Sequence, residues 1–286
     1  MSPRLFCFGY GFTAQTLAAA HPDWEIWGTG RQEKSQLLDH ERYFCFDGEK
    51  PVSGFERIAD KITHILLSIP PTEEGDPVFK AMGDTLAALP NLKWIGYLST
   101  TGVYGDLKGG EATEATPCNP SGSRAARRVK AEENWKSLAD AGGLPLHIFR
   151  LPGIYGPGRN QLVSLRKGKA HRIVKKNHVF SRIHVADLAN ILHASMQAPN
   201  PGRIYNVADD LPAPPQDVVT FAAELLRMEP PPLQDYKTAD MSPMARSFYA
   251  DNKFVSNVRI KTELGITLIY PTYKEGLTAL SQSLEP

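Results

Sequence analysis

Short apolar runs alternate with amphipathic segments over the first half of the chain. The apolar runs predict strands near residues 4–8, 24–28, 43–46, 63–68, 93–98 and 146–150. The segments between them predict helices near residues 12–20, 54–60, 76–89 and 122–140. Strands separated by helices indicate βαβ units, which build a parallel sheet with right-handed crossovers. The pattern therefore predicts an α/β fold with a doubly wound parallel sheet, whose ligand crevice lies at the carboxyl ends of the strands.

The pattern changes after residue 151, where proline becomes frequent and includes a triple proline at 230–232. Two helical patterns stand out there, one after Asp187 and one after Gln216, and we expect Asp187 to cap the first of them. The sequence thus predicts a nucleotide-binding domain over residues 1–151 and a smaller lobe over residues 152–286. We expect later segments of the chain to return to the sheet of the first domain.

The first apolar run ends in a glycine turn that leads directly into an alanine-rich helix. Gly9 allows the tight turn, and Gly11 lets backbone N–H groups approach a pyrophosphate. Ala14, in the place of a third glycine, is small enough for the helix to pack closely on the strand. Because a strand precedes the turn and a helix follows it, this segment, which includes Phe12 and Thr13, predicts dinucleotide binding.

The residues after the second predicted strand bear on which dinucleotide binds. An acidic residue there hydrogen-bonds a ribose 2′-hydroxyl, whereas an arginine grips a 2′-phosphate with two parallel hydrogen bonds. No acid follows Thr29 at that place, and Arg31 stands there instead. We therefore expect NADP(H) to be preferred over NAD(H), with a merely solvent-facing Arg31 as the alternative.

Composition narrows the setting in which the protein works. The formal net charge of +1 over 286 residues gives no general attraction to nucleic acid or to a membrane surface. No apolar run approaches a membrane helix, and the first strand leaves no room for a signal peptide. Cys7, Cys45 and Cys118 lack metal-like spacing and are expected to be buried thiols in a reducing compartment. The histidines form no ligand cluster, so we expect no metal site. Together with the cysteines, the absence of a targeting segment leads us to expect a cytoplasmic protein.

Hydroxyl-rich and glycine-rich motifs follow the later strands. They are residues 99–105 (STTGVYG), 150–159 (RLPGIYGPGR), 183–189 (IHVADLA), 204–207 (IYNV) and 270–277 (YPTYKEGL). In order and spacing, these motifs resemble the extended short-chain dehydrogenase/reductase superfamily, the NAD(P)-dependent epimerases and dehydratases, over almost the whole chain. The GxGxxA turn differs from the GxxGxxG usual in extended members and is similar to that of atypical members, including the YeeZ-like group.

The resemblance implies a Rossmann-type cofactor domain, a C-terminal substrate lobe and an oxidoreductase or epimerase activity. Thr100 matches the residue that hydrogen-bonds the reacting oxygen. The matched cofactor positions are Ser68, Ile69 and Pro70 after the fourth strand, and Pro152, Gly153 and Ile154 beside the nicotinamide. We expect Thr101, Tyr104 and Arg159 to contact the substrate. The implied substrate is a sugar nucleotide or another small carbonyl or hydroxyl compound, in many relatives an anion, and relatives often form homodimers.

The acid/base tyrosine of this superfamily has no counterpart in the chain. The superfamily's Tyr-x-x-x-Lys pair transfers the proton through the tyrosine, whose pKa the lysine lowers. Here Ala126 stands four residues before Lys130, and no tyrosine occurs between Tyr104 and Tyr155. Three interpretations stay open. The protein is an enzyme that uses Tyr104, Tyr155 or Lys130, a cofactor-binding sensor with little turnover, or a hydride-transfer enzyme for which Thr100 and water suffice.

Overall fold

The computed structural model describes residues 2–32 and 38–283. The chain divides into two compact units whose segments alternate along the sequence. The first unit comprises residues 1–100, 123–150 and 189–205, and the second comprises residues 101–122, 151–188 and 206–286.

The strands of the second unit each have three residues, whereas most strands of the first unit are longer. In chain order they are β1 (Arg4–Phe8), β2 (Glu25–Gly30), β3 (Tyr43–Cys45), β4 (His64–Leu67), β5 (Trp94–Thr100), β6 (Gly110–Ala112), β7 (Leu146–Leu151), β8 (Gly153–Tyr155), β9 (Arg172–Val174), β10 (Arg182–His184), β11 (Ile204–Asn206), β12 (Leu233–Asp235) and β13 (Lys253–Val255).

Helices occur in both units. In chain order they are α1 (Phe12–Ala20), α2 (Pro77–Ala87), α3 (Ser123–Gly142), α4 (Gln161–Arg166), α5 (Val185–Gln197), α6 (Pro215–Leu225), α7 (Pro243–Phe248), α8 (Val258–Leu264) and α9 (Tyr273–Gln282). Short 3₁₀ helices lie at Phe55–Arg57 and Thr101–Tyr104. Among the described helices, none has the length and apolar character needed to cross a membrane.

One parallel sheet organises the first unit. Within the described residues its seven strands lie side by side in the order β11-β7-β5-β4-β1-β2-β3. Both faces of such a sheet are covered, which is why β4 is buried at every position. The strand order reverses between β1 and β4, and ligands of open α/β sheets bind at that reversal. The predicted α/β fold with a doubly wound sheet is confirmed.

The second unit has its own apolar core and three two-stranded sheets, β10-β8, β12-β9 and β13-β6. Residues from β8, α4, α6 and α9 build the core, among them Tyr155, Leu162, Val219, Tyr273 and Leu277.

Three local expectations differ from the structure. The helix predicted at 54–60 is only a 3₁₀ turn at Phe55–Arg57. The helix α5 begins before Asp187, whose carboxylate instead accepts hydrogen bonds from the backbone N–H groups of Ile269 and Tyr270, at 2.6 and 3.0 Å. Cys45 is exposed rather than buried, because the edge strand β3 leaves one face open to water.

Candidate functional site

The turn after β1 is tied to the ends of the two strands beside it. The backbone N–H of Gly9 donates to the Thr29 hydroxyl at 2.8 Å, and the Ser68 hydroxyl lies 2.8 Å from the carbonyl oxygen of Gly9. Gly9 has a φ of +89°, and a Cβ there would lie 2.7 Å from the Ser68 Oγ atom. The turn is therefore fixed at the point where the strand order reverses.

The first turn of α1 is built to receive an anion. Gly11 is the N-cap residue, and no side chain caps the helix. A Cβ added at Gly11 would have nothing within 4 Å, so the space in front of the helix is open. Thr13 and Ala14 face inward and are buried, which leaves their backbone for contact with a ligand. An uncapped helix N-terminus behind a glycine turn fits a pyrophosphate group.

Thr29 on β2 and Arg31 just after it differ in the groups that they can offer to a cofactor. Thr29 is buried and its hydroxyl is occupied by the N–H of Gly9, so it supports the turn. Arg31 follows the strand and is exposed, with its carbonyl oxygen 3.7 Å from the Cys45 sulfur. The guanidinium of Arg31 thus belongs to the surface beyond β2, where a 2′-phosphate is bound in folds of this type.

The predicted residues on β4 and β5 lie where these strands end. Ser68 and Ile69 are half-buried and Pro70 is exposed after β4. Thr100 is the last residue of β5 and is half-buried, while the preceding Ser99 is buried. Because β1, β4 and β5 are parallel neighbours, these residues share one edge of the sheet with the glycine turn.

The helix α3 does not bring Lys130 to that edge. The Lys130 side chain is 72% exposed, and its ammonium lies 3.6 Å from the Glu133 carboxylate. Arg128 reaches the sheet instead, donating from Nη1 to the Tyr97 hydroxyl at 3.0 Å and to the Leu98 carbonyl oxygen at 2.9 Å. The helical spacing of Arg128 with the buried residues at 131, 132 and 135 was the sequence signal for this inward face.

A buried ion pair anchors α3 to β5 and β7. Arg150 donates to Glu132 from Nη2 at 2.7 Å and from Nε at 3.2 Å, and both side chains are nearly inaccessible to water. The Ser99 hydroxyl donates to the same carboxylate at 2.5 Å. This network fixes the residue that precedes Thr100, and sequence reasoning did not identify it.

In the second unit, two predicted aromatic residues serve the core. Tyr104 is fully buried and its hydroxyl donates to Asn206 at 2.6 Å, so the predicted substrate contact has no accessible surface. Tyr155 packs against Gly276, and burial raises the pKa of its hydroxyl above the ordinary value. Thr101 is also buried, at the start of a 3₁₀ helix. The buried phenol of Tyr104 is therefore not placed to exchange protons with a ligand, whereas Tyr155 also lines the cavity of this unit.

The remaining predicted residues of the second unit surround a cavity. Its volume is about 270 Å³. It is lined by residues of α4, α6 and α9 together with Gly153, Ile154, Tyr155, Arg159, Asn160 and Arg182. Pro152 precedes β8 and is half-buried. No group of His, Cys, Asp and Glu that could hold a metal ion occurs among the residues described.

Comparison with known sequences shows similarity to one family over part of the chain. The model of the NAD dependent epimerase/dehydratase family matches residues 84–208. Protein YeeZ of Escherichia coli K12 is 31% identical over 177 residues, which are 61% of this chain and 58% of YeeZ. The match thus spans less than two thirds of this curated relative.

Comparison with solved structures extends the likeness to the whole chain. A functionally unknown conserved protein from Silicibacter pomeroyi DSS is 46% identical, covers 99% of both chains and has a TM-score of 0.88. The dTDP-glucose 4,6-dehydratase of Bacillus anthracis, solved in complex with NAD, is 17% identical with a TM-score of 0.79. That match covers 99% of this chain and 96% of the dehydratase, and at this identity it shows the fold alone.

Proposed function

We propose that this chain, which matches the NAD dependent epimerase/dehydratase family over residues 84–208, is an NADP(H)-binding oxidoreductase of that type. The observation that carries the proposal is the turn in which Gly9 is fixed by Thr29 and Ser68, below the uncapped helix α1. When bound, the nicotinamide supplies the hydride donor or acceptor. The expected substrate is a small carbonyl or hydroxyl compound, such as a sugar derivative.

Gly11 offers a test of cofactor binding that leaves the fold unchanged. Its φ of −97° is open to any residue, and a side chain there meets no protein atom within 4 Å. We expect Gly11→Val to weaken NADPH binding at least tenfold, about 1.4 kcal/mol, in a calorimetric titration. Gly142→Val, at another glycine with open space, is the matched control. Unchanged NADPH affinity in Gly11→Val would contradict the proposed cofactor site.

Arg31 supports the preference for NADP(H) over NAD(H). The guanidinium of an exposed arginine after β2 pairs with a 2′-phosphate that NAD(H) lacks. We expect Arg31→Ala to weaken NADPH binding about tenfold or more and to change NADH binding little. Arg57→Ala, which removes another exposed arginine of the first unit, should change neither. An equal loss for both dinucleotides would refute the preference.

Thr100 is the residue we propose to hydrogen-bond the reacting oxygen. Its place at the end of β5 is fixed by the network through Ser99, Glu132 and Arg150. We expect Thr100→Val to abolish NADPH consumption with a panel of sugar and carbonyl substrates, and Thr100→Ser to retain part of it. A Thr100→Val variant as active as the wild type would remove this residue from the mechanism.

A second candidate function is that of an NADP(H)-dependent sensor or regulatory protein. It is favoured by α3, which carries an exposed Lys130 and no tyrosine. Tight NADPH binding without turnover on the same panel would support the sensor. The homodimer and the cytoplasmic location stay predictions.

A further inference from the structure

The cavity of the second unit has a fixed cation in its wall. Arg182 lies on β10, and its neighbour across the strand pair is Gly153. Its Nη1 atom donates to the carbonyl oxygens of Phe180 and Ala213, at 2.8 and 3.3 Å. The Tyr273 ring stands 5.8 Å from the guanidinium carbon. The head group is therefore held in one orientation, and within the described residues its Nη2 and Nε atoms are left without a protein acceptor.

The charge of this wall is positive. Arg159 lines the same cavity, and no Asp or Glu does so in the described part of the chain. The nearby Asp209 carboxylate attracts Arg182 electrostatically, but burial raises the pKa of Asp209 to about 7. Burial therefore weakens the neutralisation of Arg182 by Asp209. A guanidinium with unused donors, such as that of Arg182, is suited to carboxylates and phosphates.

The rest of the wall and the size of the cavity limit the ligand further. Ile154, Val218 and Leu277 give it an apolar side, to which the ring of Tyr273 adds. The volume of about 270 Å³ lies just below the range of roughly 300–1,000 Å³ that is usual for drug-sized ligands. A compact molecule with an anionic group and an apolar or ring-shaped body fits this wall.

We propose that this cavity binds the substrate, as a compact carboxylate or phosphate monoester whose anionic group pairs with Arg182 and Arg159. The inference rests on the proposed function, because Gly153 and Ile154, the expected neighbours of the nicotinamide, line the same cavity. The proposed ligand differs from the sugar nucleotides expected from the resemblance to the superfamily. The apolar body of the ligand lies against Ile154, Val218 and Leu277.

The test uses three small probes and the full-length protein. Calorimetric titration with benzoate, phenyl phosphate and uncharged benzyl alcohol is expected to show binding of at least one anion, at least tenfold tighter than that of benzyl alcohol. The tighter anion distinguishes a carboxylate ligand from a phosphate monoester. Arg159→Ala, on an exposed loop, should weaken that binding at least tenfold, as should Arg182→Met if its melting temperature shows that it is folded.

Lys167→Ala is the matched control, since it removes an exposed cation outside the cavity. Equal affinity for benzyl alcohol, or full anion affinity in Arg159→Ala, would overturn the proposal. So would UDP-glucose that binds more tightly than either anion and displaces it. NADPH titrated in parallel separates the two hypotheses. Anion binding without NADPH binding refutes the proposed function, and NADPH binding without anion binding refutes only this inference.

Discussion

Gly9 and Gly11 lie two positions apart in the turn after β1, and a side chain meets different surroundings at each. At Gly9 it would adopt a φ of +89° and approach Ser68, whereas at Gly11 it would project into open space. The first glycine is required by the fold of the turn, whereas the second is required only by the proposed dinucleotide.

We therefore expect Gly9→Ala to lower the free energy of unfolding by about 1–3 kcal/mol, through backbone strain and the clash with Ser68. Gly11→Ala should change it by less than about 0.5 kcal/mol, as surface substitutions usually do. Urea unfolding of the two variants measures the difference. Equal stabilities would show that the turn tolerates a side chain at Gly9.

His147 makes the fold sensitive to acid. The buried ring donates from Nδ1 to the Pro145 carbonyl oxygen at 3.0 Å, and Nε2 accepts from the Asn200 N–H at 2.8 Å. Burial lowers the pKa of His147 to about 4, against about 6.5 in an unfolded chain. The unfolded state therefore binds more protons between pH 6.5 and 4, and stability falls as the pH is lowered through that window.

We expect this contribution to reach about 2–3 kcal/mol between pH 7 and pH 4. The melting temperature of His147→Asn should accordingly vary less with pH than that of the wild type. His171→Asn, at an exposed histidine, is the control and should keep the wild-type slope. A His147→Asn profile parallel to the wild type would exclude this residue as a source of acid sensitivity.

At the scale of elements, α3 is held to the sheet mainly by its inward face. Ala131 and Trp135 are buried there, and Glu132 pairs with Arg150 of β7. Removal of one partner leaves a buried charge unpaired, which is strongly destabilising even where the intact pair contributes little.

Glu132→Gln is thus expected to cost about 3–5 kcal/mol in the free energy of unfolding. Glu133→Gln, at the exposed neighbour, should cost less than about 0.5 kcal/mol. Chemical denaturation of both variants checks the contrast. A small loss in Glu132→Gln would mean that water reaches Arg150 and compensates for the missing carboxylate.

The elements were predictable where the pattern is periodic or strongly apolar. The strands β1 and β4, the helix α1 and the glycine turn all lie where the sequence places them, since buried parallel strands need continuous apolar runs. Asp187 was placed wrongly as a cap because its true partners lie more than 80 residues away in the chain.

The site was predictable only in part, because contacts between distant segments leave no local signal in the sequence. Gly9 and Gly11 carry local constraints of the backbone, which a single sequence displays. The role of Arg128, the burial of Tyr104 and the cavity around Arg182 all depend on contacts between distant segments. The superfamily motif points to Lys130, which is exposed, whereas Arg128 is the residue of α3 that contacts Tyr97 and Leu98 of β5.

At the scale of the molecule, the two units are built from interleaved segments. In the first unit, the Trp94 indole N–H donates to the Ser195 hydroxyl at 3.0 Å, and the Ile148 N–H donates to the Arg203 carbonyl oxygen at 2.9 Å. Residues 189–205 therefore complete a unit that begins at the N-terminus.

We expect a fragment of residues 1–151 to lack a cooperative thermal transition and to bind a hydrophobic dye, because Trp94 and Phe149 lose the segment that covers them. A fragment of residues 1–206 contains every segment of the first unit and should regain a cooperative melt followed by near-UV circular dichroism. A sharp transition in the shorter fragment would show that residues 189–205 are dispensable.

The interleaving also sets an order for events during translation. Synthesis proceeds from the N-terminus, and β11 is the edge strand of the first sheet although it is encoded near residue 205. Until that segment leaves the ribosome, β7 presents an unpaired strand edge, a feature that templates aggregation in nascent chains. We expect the growing polypeptide to depend on chaperones over this interval, and a pause in synthesis before residue 189 to lower the yield of folded protein.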